Sequence, residues 1–185
     1  MKNKTFSKLI LTAIFVQNFA GIFLGTQEYV GYAYAKPEIA ISNLSTKGPD
    51  HRVEALEKVF EKYNSPLLPY ASAYVQSADK HGVDWKLLPS IAGLESSFGK
   101  RLMPGSYNGY GWGGGHIYFA SWEDGIDKIN SSLALKYYGR GANTVWSIGP
   151  IYAESPTWAV RVNGFMNQID AQLAKIEIKK APLTI

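Results

Sequence analysis

The chain has 185 residues, with 19 Lys and Arg against 15 Asp and Glu, a formal net charge of +4 and 14% aromatic residues. That length suits one domain plus an appendage and is enough to bury a core. The sequence contains no cysteine, which excludes a disulfide framework, a thiol nucleophile and a Cys-based zinc site.

The first segment, "MKNKTFSKLILTAIFVQNFAGIFLG", places Lys2, Lys4 and Lys8 before an apolar stretch from Leu9 to Leu24. Ala33-Tyr34-Ala35 follows as a small-x-small cleavage site, so residues 1–35 read as a secretory signal peptide. The alternative is an uncleaved anchor, but Gln17 and Asn18 interrupt the apolar stretch and leave it short for a span. The expected location is outside the cytoplasm, in the periplasm, cell wall or medium, without stable membrane insertion after cleavage. Cleavage would remove three Lys and one Glu and leave a net +2, a balance that gives no argument for a nucleic-acid partner.

Residues 36–48 show no helical period and read as a linker. The expected domain spans 49–177, with 178–185 as a tail. It opens with "DHRVEALEKVFEKY", an amphipathic helix with Asp50 as its cap. "SPLLPYASAYVQSADKHG" is a second helix, capped by Ser65, with Pro66 in its first turn and Gly82 at its end. "VDWKLLPSIAGLESSFG" is a third, beginning near Asp84, in which Pro89 requires a kink or an irregular first turn. Residues 100–120 are rich in Gly and aromatics and predict an irregular lobe or small β-hairpin around the strand candidate "HIYF". Helical patterns return after Ser121, across "NTVWSIGPIYA", and after Ser155-Pro156. The fold class is therefore mainly α, a helical bundle lobe with a small Gly-rich lobe beside it and a cleft at their junction. His51, His81 and His116 are scattered without metal-ligand spacing.

Glu95 is the candidate for the chemistry. On the third helix, Leu88, Ile91, Ala92 and Glu95 share one face, so the carboxylate continues an apolar stripe. An acid there is costly unless it is paired, neutral or at the edge of a cleft, and a protonated carboxyl is what general-acid catalysis requires. The bland alternative pairs Glu95 with Lys100 or Arg101 at the edge of the stripe. Trp122, Trp146 and Trp158 fall within helical patterns and are expected in the core.

Four pieces in order carry a resemblance: "IAGLESSFG", "YNGYGW", "FASWEDGIDKI" and "IYAESPTWAVRV". Together they resemble the lysozyme-like superfamily, and within it the bacterial endo-β-N-acetylglucosaminidases of the flagellar-muramidase and autolysin type. The likeness covers roughly residues 70–170 and implies an α+β lysozyme-like fold and a secreted hydrolase that cleaves β-1,4 glycosidic bonds of peptidoglycan glycan strands. It implies Glu95 as the catalytic acid and Tyr152 as a cleft tyrosine near the scissile bond. Asn108, Tyr110 and Trp112, with the adjoining Tyr107, would line sugar subsites, unless these residues simply plug the lobe. In the fourth piece Glu154 and Ser155 stand for the family's Asp and its neighbour, and Trp158 for its last tyrosine.

Glycoside hydrolysis commonly uses a second carboxylate. Glu123, Asp124 and Glu154 are the candidates, and each has an ordinary role as well, at a helix start or in a loop. The routes without a second acid are assistance by the substrate's N-acetyl group and the lytic transglycosylase reaction. Soluble transglycosylases carry a Gly-Leu-Met-Gln element where this chain has "NGYGWGGG", which favours the glucosaminidase. A non-catalytic wall-binding module of the same fold is the rival class. No cofactor is implied, and the oligomeric state stays open.

Overall fold

The computed structural model describes residues 48–181. The expected signal peptide and all of the linker but Gly48 lie outside the described residues, as do the last four residues of the tail. Among the described residues there are six α-helices: α1 (His51–Lys62), α2 (Ala71–His81), α3 (Leu87–Ser96), α4 (Trp122–Lys136), α5 (Val145–Tyr152) and α6 (Trp158–Lys180). The protein is mainly helical, and α6 carries three residues of the expected tail.

Local chemistry explains the helix boundaries. Asp50 caps α1 by accepting the Arg52 N–H. Ser65 accepts the Leu67 N–H at 3.0 Å, as expected of a cap. The α-helix nevertheless starts only at Ala71, after a 3-10 turn over Leu68–Tyr70. Pro69 is the reason: it has no N–H and disfavours α geometry at the residue before it. Pro89 sits in the first turn of α3, where a missing N–H costs nothing, so α3 begins at Leu87 without a kink. Ser121 caps α4, and Thr144 and Ser147 form a capping box on α5. Ser155 does not cap α6. Its hydroxyl pairs with that of Thr157 at 3.1 Å, and the helix begins two residues later than the sequence suggests.

The long α6 packs on α1, α3 and α5, while α2 packs on α4. One core runs through them, built on Leu56, Phe60, Tyr74, Leu88, Ile91, Phe98, Ile126 and Leu133. Ion pairs tie helices together at the rim: Arg52 joins α1 to Asp79 on α2, and Lys86 joins the start of α3 to Asp170 on α6.

Among the described residues the small lobe contains no strand, so the hairpin expectation is replaced by the irregular one. The "HIYF" segment forms no strand ladder among the described residues. The Ile117 carbonyl accepts the Asn108 side-chain amide at 3.0 Å, and the Phe119 N–H is spent on the Ser106 carbonyl at 2.9 Å. Trp112–Gly115 form a 3-10 turn interrupted by left-handed glycines.

The end of α3 is the tightest point. Phe98 is buried against Phe60, Tyr63 and Phe165, with ring centroids 5.8, 4.5 and 5.1 Å away. Its ring also covers Gly93, where a Cβ would lie 2.7 Å from Phe98 Cζ. Alanine in a helix gains about 1 kcal/mol over glycine, but overpacking a core costs about 1–3 kcal/mol. With Phe98 held by three rings, the clash wins. Gly93→Ala is expected to lower unfolding stability by about 1 kcal/mol or more in urea denaturation; a more stable variant would contradict this packing.

Candidate active site

Glu95 occupies the last turn of α3, and its side chain is exposed. The stripe of Leu88, Ile91 and Ala92 is buried, but it ends one residue position short of the acid. The reason is the turn that follows. Ser97, Phe98 and Gly99 all have positive φ (53°, 58° and 79°), and the Phe98 N–H closes on the Ala92 carbonyl at 2.9 Å. The chain turns away at once, burying Phe98 and leaving Glu95 at the rim. Glu95 pairs with neither Lys100 nor Arg101. Lys100 instead reaches the Tyr63 carbonyl at 2.6 Å, and Glu95 Oε1 accepts the indole N–H of Trp158 at 2.9 Å.

Trp158 is therefore more than the core residue its helical position suggests. It is buried, at 3% exposure, yet its polar edge reaches the acid. Tyr152 stacks on the same indole, with centroids 4.7 Å apart at 26°. The Tyr152 hydroxyl donates to the Tyr110 carbonyl at 2.7 Å. Burial, with the Glu95 carboxylate next in weight, pushes the Tyr152 phenol well above its ordinary range. It is thus a neutral group whose proton is committed and whose oxygen lone pair remains.

The Gly-rich segment closes the other side. Gly111 has φ 67°, and a Cβ there would lie 3.0 Å from Glu95 Oε2. A side chain would crowd the carboxylate as well as strain the backbone. Gly111, Trp112, Gly113, Gly114, Tyr137 and Tyr152 line an open cavity of about 290 Å³. Trp112 is half-buried there, 5.9 Å from the Tyr152 ring, with Lys136 Nζ 5.6 Å from its own centroid. Tyr137 contributes a wall that the sequence reading missed, because nothing in its helical pattern distinguishes it.

Three expected subsite residues lie outside the lining of that cavity. Tyr110 is fully buried, and its hydroxyl meets that of Tyr74 at 3.0 Å, so its ring offers no face to a ligand. Asn108 is 3% exposed. Its amide donates to the Trp112 and Ile117 carbonyls at 2.8 and 3.0 Å, and its oxygen accepts the Trp112 N–H at 3.1 Å. It holds the loop that carries Trp112. Tyr107 is exposed and packs edge-on to Trp122, 5.7 Å away, outside the lining of the cavity.

None of the three candidate second acids joins Glu95. Asp124 accepts the Ala120 N–H at 3.0 Å and pairs with Lys128 at 2.8 Å, and these contacts lower its pKa. Glu123 lines a separate hollow with Gln76 and Lys80. Glu154 lines another with Trp146 and Pro150. Trp122 is buried as expected, but Trp146 is 54% exposed. Among the described residues no group of three or more His, Asp or Glu is arranged to hold a metal ion, and no helix is long and apolar enough to cross a membrane.

The buried phenols make a pH dependence. Burial raises the pKa of Tyr74 and Tyr110, so both stay protonated when folded, while an unfolded tyrosine ionises at about 10. Their contribution is full below about pH 10 and is lost as pH rises from there, by up to about 1.4 kcal/mol per unit for each phenol. Replacing both (Tyr74→Phe with Tyr110→Phe) removes a hydrogen-bonded pair together and should cost little at neutral pH. It should also flatten the decline measured by urea denaturation between about pH 9 and about pH 11; an unchanged slope would contradict this burial.

No protein-family model matches the chain, and no curated protein matches it.

Proposed function

We propose that the chain is an exported, lysozyme-like glycosidase that cleaves β-1,4 bonds in peptidoglycan glycan strands, of the N-acetylglucosaminidase type, with Glu95 as its general acid. The observation that carries the proposal is the orientation of Glu95. Its carboxyl is exposed, Oε1 is held by the Trp158 N–H, and Oε2 faces the side-chain-free Gly111. A donor on one oxygen directs the acidic proton to the other. Oε2 is therefore the atom that delivers a proton to the departing glycosidic oxygen, and the glycine leaves room for a sugar to approach it. The exposed face of Trp112 suits the C–H face of a sugar ring.

None of the candidate carboxylates lines the cavity of Trp112 and Tyr152, which supports the substrate-assisted route. The acetamido oxygen attacks the anomeric carbon as Glu95 gives its proton to the leaving sugar. The Tyr152 oxygen accepts the acetamido N–H. Water then attacks the anomeric carbon from the open side, giving its proton back to Glu95, and the configuration is retained.

Purified sacculi test this reading. Wild type should release soluble fragments with ordinary reducing ends at N-acetylglucosamine. Glu95→Gln, folded by circular dichroism, should be slower by about 10²–10⁴-fold. Equal activity in the variant, or glycan binding without turnover by wild type, would sink the proposal. Ends one water lighter would assign a transglycosylase instead.

Trp158→Phe separates holding from packing. It keeps a ring under Tyr152 and deletes the N–H. The expected loss is about tenfold to a hundredfold in kcat, with KM nearly unchanged, because the acid is misplaced rather than the substrate unbound. A pure KM effect would place Trp158 in substrate binding instead.

A further inference from the structure

A second hollow lies at the end of α5, lined by residues on either side of Trp158 in the chain. Trp158 turns its Nε1 edge to Glu95, while its Cε3 atom, on the benzo ring, lies 3.4 Å from where a Cβ on Gly149 would be. Gly149 and Ala159 floor a cavity of about 460 Å³, walled by Pro150, Pro156, Ala153 and the Trp146 indole. Its lining is apolar apart from Glu154 and Ser155. Glu154 is exposed and has no hydrogen-bond or ion-pair partner among the described residues. The Ser155 hydroxyl is engaged with Thr157 at 3.1 Å. Pro150 carries no N–H, so the carbonyl of Trp146, four residues earlier, loses its helical donor. A half-exposed indole and a carboxylate thus flank an apolar hollow.

These groups select one chemistry. The carboxylate is an acceptor that suits a cation, and an indole face attracts an ammonium. Pro150, Pro156, Ala153 and Ala159 suit a methylene chain. We propose that this hollow binds a primary ammonium carried on an apolar chain. On the glycosidase reading, on which this identification rests, the ligand is the free side-chain amine of a peptide stem, bound while the glycan lies at Glu95. Gly149, which lines this hollow, packs beside the Trp158 that holds the acid, so the two sites are neighbours.

The probe is Nα-acetyl-lysine N-methylamide, titrated into the wild-type protein while the Trp146 indole N–H is followed by NMR. A saturable shift is expected. It should weaken about tenfold or more with the Nε-acetylated probe, and likewise in Glu154→Gln, as loss of a charge-assisted contact implies. Trp146→Ala should also lose the affinity. No saturable shift, equal binding of both probes, or wild-type affinity in Glu154→Gln would overturn the proposal. Both residues are exposed, so neither variant threatens the fold. On sacculi, Glu154→Gln should raise KM, and acetylating the stem amines should abolish the difference from wild type. A fall in kcat alone would make Glu154 the second acid and overturn the proposal. The two readings fail separately: probe binding without cleavage of sacculi refutes the glycosidase, and cleavage without probe binding refutes the amine site.

Discussion

The site depends on the hydroxyl of Ser96. It is buried, lies 2.9 Å from the Ala92 carbonyl and 2.8 Å from that of Gly109, and accepts the Gly99 N–H at 2.8 Å. One oxygen therefore joins the helix that carries the acid, the left-handed turn that ends it and the Gly-rich segment that faces it. A hydroxyl has a single proton, so it serves the two carbonyls in turn, while its lone pairs hold the turn. Two non-glycine residues, Ser97 and Phe98, sit at positive φ just beyond. Such strain persists only where the surroundings over-determine it. The packing of Phe98 and the bonds of Ser96 do so here. The result is an acid exposed on a rigid support, with Gly111 brought against it.

Around that support the residues divide into those that hold and those that present. Asn108 uses its amide on the backbone of the Gly-rich segment, and Tyr110 is locked against Tyr74 in the core. Their contribution is indirect: they fix the position of Trp112 and of the carbonyl that receives the Tyr152 proton. Tyr152 and Trp112 line the cavity, and Tyr152 stacks on the buried Trp158 that holds the acid. A site whose positions come from a packed core needs little reorganisation when a ligand arrives.

Helix periodicity made most of the fold legible, because apolar spacing is a local property of the sequence. Asp50, Gly82, Ser121 and the first-turn Pro89 mark boundaries by the hydrogen bonds they make or lack. Ser65 and Ser155 misled for the same kind of reason. Their effects depend on a second proline and on a neighbouring hydroxyl, which periodicity does not weigh. At the site, the position of Glu95 at the end of an apolar stripe was readable, whereas its exposure was not. Exposure is set by three consecutive positive φ angles, which "SSFG" permits but does not announce. The Asn108 and Tyr110 motif residues were readable as important to the lobe. Whether such residues touch a ligand or hold the loop depends on long-range pairing with Tyr74 and Trp112. Trp158 shows the limit most clearly: a buried position in a helical pattern says nothing about where its one N–H points.

On the proposed glycosidase reading, that N–H also bears on how few groups the reaction needs. A lone carboxyl at a rim is poorly directed, since either oxygen can carry the proton and the side chain can rotate. Binding Oε1 to a buried indole removes both freedoms, because Trp158 is fixed by the start of α6 and by the Tyr152 stack. Gly111 keeps the approach to Oε2 clear. Positioning of this kind takes over part of what a second acid would otherwise contribute, and an acetamido group on the substrate brings its own nucleophile. On that reading the other carboxylates have separate places: Asp124 accepts the Ala120 N–H and pairs with Lys128 on α4, and Glu154 lines the hollow with Trp146.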